Sequence, residues 1–259
     1  MGDKSTISWT DASWNPVTGC SKISAGCLHC YAETLSLRQG WSKKAWTAAN
    51  AGENVILHRD RLELPLRWKK PRKIFVNSMS DLFHENVPFD FIDEVFEVMS
   101  EAEQHIFQVL TKRPERFAEW FRQTLLFGGG DFYPHIWIGV SAENQHWAEV
   151  RIPTLAATWM GPRFVSVEPM LEPVDLMPYL TRKDQPEYFW PDLNWVIVGG
   201  ESGPGFRPMN LDWARTLRDQ CVANDVPFWF KQIAGPRPGM GATLDGVEWH
   251  QFPVQDAQK

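Results

Sequence analysis

The sequence predicts one α/β domain over residues 1–259, its parallel strands curled into a partial or nearly closed (β/α) barrel. Three observations carry this. Six short apolar runs recur, each ending in polar residues. Amphipathic helical stretches separate several of them. A chain of 259 residues, 43% hydrophobic, buries a full core, and α/β barrels routinely use this length as one unit.

The runs fall at 73–78, 105–112, 135–141, 163–168, 194–201 and 227–232. Continuous apolar stretches of this length suit strands buried on both faces, as in a parallel sheet. Residues 89–103 place Ile92, Val95, Phe96 and Met99 on one helical face. A helix over 114–125 begins at Pro114 and carries Phe117, Trp120 and Phe121. Residues 142–155 follow Ser141 as the expected N-cap. In 211–224, Leu211, Ala214, Leu217 and Cys221 form one apolar stripe, which makes Cys221 a core residue. Residues 128–130 read as a loop and 173–192 as an irregular excursion. With a first short strand before the cysteines, the chain supplies about seven βα units and right-handed crossovers.

Loops after the strands' C-terminal ends share one face of such a barrel, where active sites gather. That face collects Ser78, Ser80, Asp81, Lys112, Ser141, Glu143, Glu168, Glu201, Lys231 and Gln232.

Composition excludes disordered, collagen-like and small disulfide-stapled classes. No apolar run reaches the length of a membrane span, and the polar N-terminus lacks an apolar signal core, so a cytoplasmic protein is expected. Net charge is −6, but residues 1–73 hold 12 Lys and Arg against 6 Asp and Glu. This N-terminal segment joins a cysteine loop to a basic lobe. A basic lobe interleaved with aromatics suits nucleic acid, and a solvated face is the alternative. If phosphates bind, Lys43, Lys44, Arg59 and Arg61, in the long connection, are expected to matter more than Lys69, Lys70, Arg72 and Lys73. The latter precede a strand and start near the opposite face.

Three of the four cysteines, Cys20, Cys27 and Cys30, lie within eleven residues in a C-x6-C-x2-C pattern. In a chain without a secretion signal such a cluster points to metal rather than disulfides. Soft thiolates suit zinc or an iron–sulfur cluster. Structural zinc needs four ligands, and His29 is the nearest fourth. Three thiolates alone suit a [4Fe–4S] cluster with one open iron. A metal-free structural thiol group is the remaining alternative.

The loop Cys20…Cys27-Leu28-His29-Cys30-Tyr31, opening a (β/α) barrel, resembles the radical S-adenosylmethionine (SAM) enzymes. The spacing between the first two cysteines is longer than the commonest one of that superfamily. The resemblance implies that Cys20, Cys27 and Cys30 hold a [4Fe–4S] cluster. Its open iron would chelate SAM, and reduction would release a 5′-deoxyadenosyl radical. Nearly the whole chain is similar to the phage Gp37/Gp68 family. The matching pieces include Trp14-Asn15-Pro16-Val17-Thr18-Gly19-Cys20, Asn77-Ser78-Met79-Ser80-Asp81, Leu110-Thr111-Lys112-Arg113-Pro114, Ser166-Val167-Glu168-Pro169, Gly199-Gly200-Glu201 and Phe230-Lys231-Gln232.

Among radical SAM enzymes the strand ends are most similar to the spore photoproduct lyase-like branch, where a lysine and a serine lie near SAM. Lys112 and Ser141 match them, and Ser78, Ser80 or Asp81 stands where the SAM amino group is held. Glu143 and Glu168 are further expected cofactor contacts. Glu201, Lys231 and Gln232 are the expected catalytic or substrate contacts. Trp9, Trp14 and Tyr31 are expected either to wall the cofactor space or to pack the first loop. Modification or repair of a nucleobase follows as the leading function, with a nucleic acid or nucleotide substrate and an electron-donor protein as partners. A peptide side chain is another substrate option. A zinc-stabilised nucleic-acid-binding phage protein without catalysis is the alternative from a different class.

Overall fold

A computed structural model describes residues 4–126, 133–159, 161–180 and 193–253. Seven strands form one parallel sheet in sequential order: β1 (Ala12–Trp14), β2 (Lys73–Val76), β3 (Ile106–Thr111), β4 (Ile136–Ser141), β5 (Arg163–Val167), β6 (Trp195–Gly199) and β7 (Phe228–Gln232). The sheet curls into a half-barrel flanked by helices α1 (Tyr31–Arg38), α2 (Phe89–Glu101), α3 (Pro114–Leu126), α4 (Gln145–Ala156) and α5 (Leu211–Ala223). All six predicted strands form, and the first short strand precedes the cysteines as expected. Helices α2 and α3 bury the residues their periodicity assigns, while α5 buries Ala214, Leu217 and Cys221 and leaves Leu211, at its first position, only partly covered.

One boundary differs. Ser141 does not cap α4, because it is still in β4, paired with Ser166. The cap is Asn144, whose side-chain oxygen accepts from Trp147 N at 3.1 Å. The expected loop at 128–130 lies outside the described residues, as does 181–192 of the irregular excursion. The excursion's described part includes a short helix, Met177–Leu180.

The strands divide their side chains between two cores because successive residues face opposite sides. One core packs sheet against helices and holds Val76, Val109, Val140, Val167 and Val198. The other fills the concave side with Trp9, Phe75, Trp137, Phe164, Trp195 and Trp229. Gly139 exists to admit this layer, since a Cβ there would stand 2.5 Å from the Phe164 ring. The N-terminal segment carries Trp9 into the concave core, and Trp229 Nε1 donates to Ser8 Oγ at 3.3 Å. The C-terminal segment runs along β7: Phe230 N donates to Trp249 O and Gln251 N to Phe228 O. His250 stacks on Trp229, and Phe252 packs on Trp195. Both segments therefore plug the barrel end where the strands begin. Among the described residues the opposite end, above the strands' C-termini, holds an open cavity.

Candidate functional site

At that open end lies a cavity of about 210 Å³. Trp9, Phe75 and Leu110 line it from the apolar core. Lys112, Ser141, Ser166, Glu168 and Lys231 line it from the strand ends. Cys20, Cys27, Cys30 and Tyr31 line it from the connection between β1 and β2. The sequence-predicted cysteines thus share one cavity with Lys112, Ser141, Glu168 and Lys231, as do Ser78, Ser80, Asp81 and Glu201.

The cysteine loop is held by an interlock with the segment after β2. Asn77 Oδ1 accepts from Val17 N, Ser80 Oγ donates to Val17 O, and Gly19 N donates to Met79 O. Asn15 Oδ1 accepts from Met79 N and Ser78 Oγ. Gly19 adopts φ +84°, and a Cβ there would lie 1.8 Å from Asn54 O. Only glycine fits this bend, which delivers Cys20 to the cavity.

Each thiol has a different environment. Burial pushes Cys20 up to about 12 even though Arg113 opposes the rise. Burial also acts against ionisation of Cys27. There the Lys112 charge and hydrogen bonds from Ile23 and Ser24 outweigh it, and the thiol falls below its ordinary value. Cys30 caps α1, and burial raises it against the lowering pull of the Glu33 and Ala32 amides. All three cysteines are free thiols.

Several expected cofactor contacts are committed elsewhere. Glu143 is fully buried and does not line the cavity: it pairs with Arg151 at 3.0 Å and accepts from Gly26 N at 3.1 Å. It anchors the Cys27 turn rather than a ligand. Asp81 spends both carboxylate oxygens on the protein. Oδ1 accepts from Phe83 N and Thr111 Oγ1, and Oδ2 from Lys112 N and Arg113. Those four bonds make it an anchor in the cavity wall. Ser80 is similarly engaged with Val17, while Ser78 shares its hydroxyl with Asn15. Gln232 donates to Gly200 O and accepts from Gly239 N, and it does not line the cavity.

Glu201 is clamped by Arg207 and by His29 Nδ1, 3.0 Å away. Burial would raise its pKa, but these donors hold it down to about 2. His29 therefore ties the cysteine loop to the segment after β6. Glu168 and Lys231 pair at 2.5 Å inside the cavity. Trp9 and Tyr31 line the space, whereas Trp14 packs in the sheet–helix core and donates to Arg61 O.

The basic lobe is less free than its charge count suggests. Arg59 pairs with Glu94, Lys44 with Glu53, and Arg61 donates to Asn15 O. Arg72 stacks over Trp68, and Lys73 approaches Asp11 and Phe252. Sequence reasoning missed Arg113, Arg207 and Arg151, which fix the loops around the thiols. Arg113 stood in plain view beside Lys112 in the Lys112-Arg113-Pro114 motif.

The donor set bears on what metal fits. Among the described residues no three His, Cys, Asp or Glu side chains converge to hold a single metal ion. A zinc ion needs its ligands about 2.0–2.3 Å from one point. A polynuclear cluster instead takes one thiolate at each of several irons, so its thiolates need not meet at one point. The three thiols are close enough to feel one another's charge.

The fold and site define a parallel α/β half-barrel with a thiol-lined mouth. The family model described as a protein of unknown function, DUF5131, matches residues 4–253, and the chain belongs to that family. No curated protein and no solved structure matches the chain. Among the described residues no helix is long and apolar enough to cross a membrane.

Proposed function

We propose that this protein is a radical SAM enzyme in which Cys20, Cys27 and Cys30 hold a [4Fe–4S] cluster, and that it modifies or repairs a nucleobase. The observation that carries the reading is that three free thiols and Lys112 line one cavity at the C-terminal mouth of a parallel half-barrel. Resemblance of the strand ends to the spore photoproduct lyase-like branch supports the same chemistry. When bound, the cluster and SAM together would supply one-electron radical chemistry able to abstract hydrogen from a substrate.

The chain's own residues have separable tasks. The Lys112 ammonium, with no carboxylate in ion-pair contact among the described residues, suits the SAM carboxylate. Ser141 offers a hydroxyl from the neighbouring strand end. Tyr31, whose hydroxyl donates to Ser78 O, walls the cysteine side. Trp9, Phe75 and Leu110 give an apolar floor on which a planar base can pack. The Glu168–Lys231 pair offers an acceptor and a donor to the edge of such a ring. The enclosed floor also keeps water from a reactive intermediate. This reading places the protein in a reducing cytoplasm with an electron-donor protein as partner.

The test is anaerobic reconstitution followed by iron and acid-labile sulfide assays, then incubation with SAM and dithionite. About four irons and four sulfides per chain, and release of 5′-deoxyadenosine, are expected. Cys20→Ser, Cys27→Ser and Cys30→Ser each lose the iron, whereas Cys221→Ser keeps it. A colourless protein with stoichiometric zinc would sink the proposal and favour the binding-module alternative.

A further inference from the structure

We infer that Arg113 is a positioning residue that sets how readily the cluster accepts an electron, acting through the sulfur of Cys20. The inference rests on the [4Fe–4S] reading above and deepens it.

Arg113 follows β3 and is 5% exposed. One terminal nitrogen lies 3.6 Å from Cys20 Sγ and 3.2 Å from Asp81 Oδ2. The other donates to Ser21 O and Ser21 Oγ at 3.1 Å each. Nε donates to Glu85 Oε1 at 3.0 Å. The backbone adds a further constraint, since Arg113 N donates to Thr111 Oγ1 and that hydroxyl donates to Asp81. Every side of the guanidinium is therefore held, and one N–H is left facing sulfur. Lysine has no planar fork to reach these partners together.

The other two thiols differ. Cys27 has the Ser24 hydroxyl 3.7 Å away, and Cys30 has the amides at the start of α1. Neither has a guanidinium at hydrogen-bond range among the described residues. Among the described residues, Cys20 alone of the three is hydrogen-bonded by a cationic side chain.

The electrochemical consequence follows from charge. Adding one electron makes the cluster and its three thiolates more negative by one charge, with no bond made or broken. Hydrogen bonds to ligand sulfurs and nearby positive charge favour the more negative state and raise the potential. Asp81 and Glu85 offset part of the Arg113 charge. Glu85 is largely exposed, so solvent weakens its share. The directed N–H to sulfur remains whatever the balance.

The experiment is a mediated potentiometric titration with dithionite, read by electron paramagnetic resonance, on anaerobically reconstituted full-length protein. At the wild-type midpoint, Arg113→Gln should show about a tenfold lower ratio of reduced to oxidised cluster, which for one electron is about 59 mV to the negative. Because Arg113→Gln leaves Asp81 without its cation, the double variant Arg113→Gln/Asp81→Asn is titrated beside it, and a negative shift is expected there too. Glu85→Gln keeps the sulfur contact and should not shift negatively. An unchanged midpoint in cluster-loaded Arg113 variants overturns the inference and leaves the cluster reading intact. So does loss of the cluster from both Arg113 variants, which makes the residue a scaffold. A negative shift of equal size in Glu85→Gln also overturns it. A wild-type protein that takes up no cluster overturns both readings together.

Discussion

The buried Glu143–Arg151 pair gives the sharpest stability prediction. Both side chains are fully buried, 3.0 Å apart, and Glu143 also accepts from Gly26 N beside Cys27. Glu143→Gln keeps the shape and an oxygen for Gly26, but strips the charge from Arg151. Breaking a buried pair by removing one partner costs about 3–5 kcal/mol, because the remaining ion is uncompensated. With a urea slope of about 3 kcal/mol per M, the midpoint should fall by about 1–1.7 M. The sign with pH is also fixed. Burial raises the Glu143 pKa, yet Lys112, Ser24 and Arg151 together lower it below 4.5. Its contribution is therefore complete above the unfolded carboxylate value and is lost as pH falls through the lowered folded value. The gap between wild type and Glu143→Gln should be full at pH 7 and close in strong acid. Equilibrium urea unfolding at both pH values measures this. A loss under about 1 kcal/mol at pH 7, or a gap unchanged in acid, would refute the reasoning.

Two further outcomes are expected. Gly19→Ala should destabilise the protein by more than about 1 kcal/mol, because the residue has φ +84° and a Cβ would strike Asn54 O. It should also expose Cys20 to thiol reagents faster, and unchanged labelling would show that the bend does not hold the cysteine. Lys112→Ala and Ser141→Ala should each weaken SAM binding by about 1–3 kcal/mol in titration calorimetry on reconstituted protein, with iron content intact. Unchanged affinity in both would move the SAM site elsewhere in the cavity.

The strands were legible because a parallel sheet buried on both faces leaves uninterrupted apolar runs, and Ile136 to Ile138 or Val196 to Val198 are such runs. Their order followed from alternation with helices. The thiol group was legible from spacing, and Lys112 and Glu168 from their places at strand ends. Direction was not legible. Glu143 stands two residues past Ser141 and on a continuing strand would face the same side. The chain turns there, and the carboxylate points to Arg151. Asp81 likewise ends a strand region, but its partners Thr111 and Arg113 come from the next βα unit. The cap of α4 moved from Ser141 to Asn144 because pairing with β5 held Ser141 in the sheet. A count along the chain overstates the free charge of the basic lobe, because Glu94 folds back onto Arg59 from α2.

The plugged end of the barrel has a practical meaning for handling the molecule. Ser8 and Trp9 at the start of the chain and His250 to Phe252 near its finish meet around Trp195 and Trp229. Both ends of the described chain therefore emerge on the side away from the thiols. A surface linkage made through residues of this plugged side would present the mouth outward. Immobilised protein should then remain open to SAM, to a reductant and to long polymers alike, so one sensor surface can compare all three.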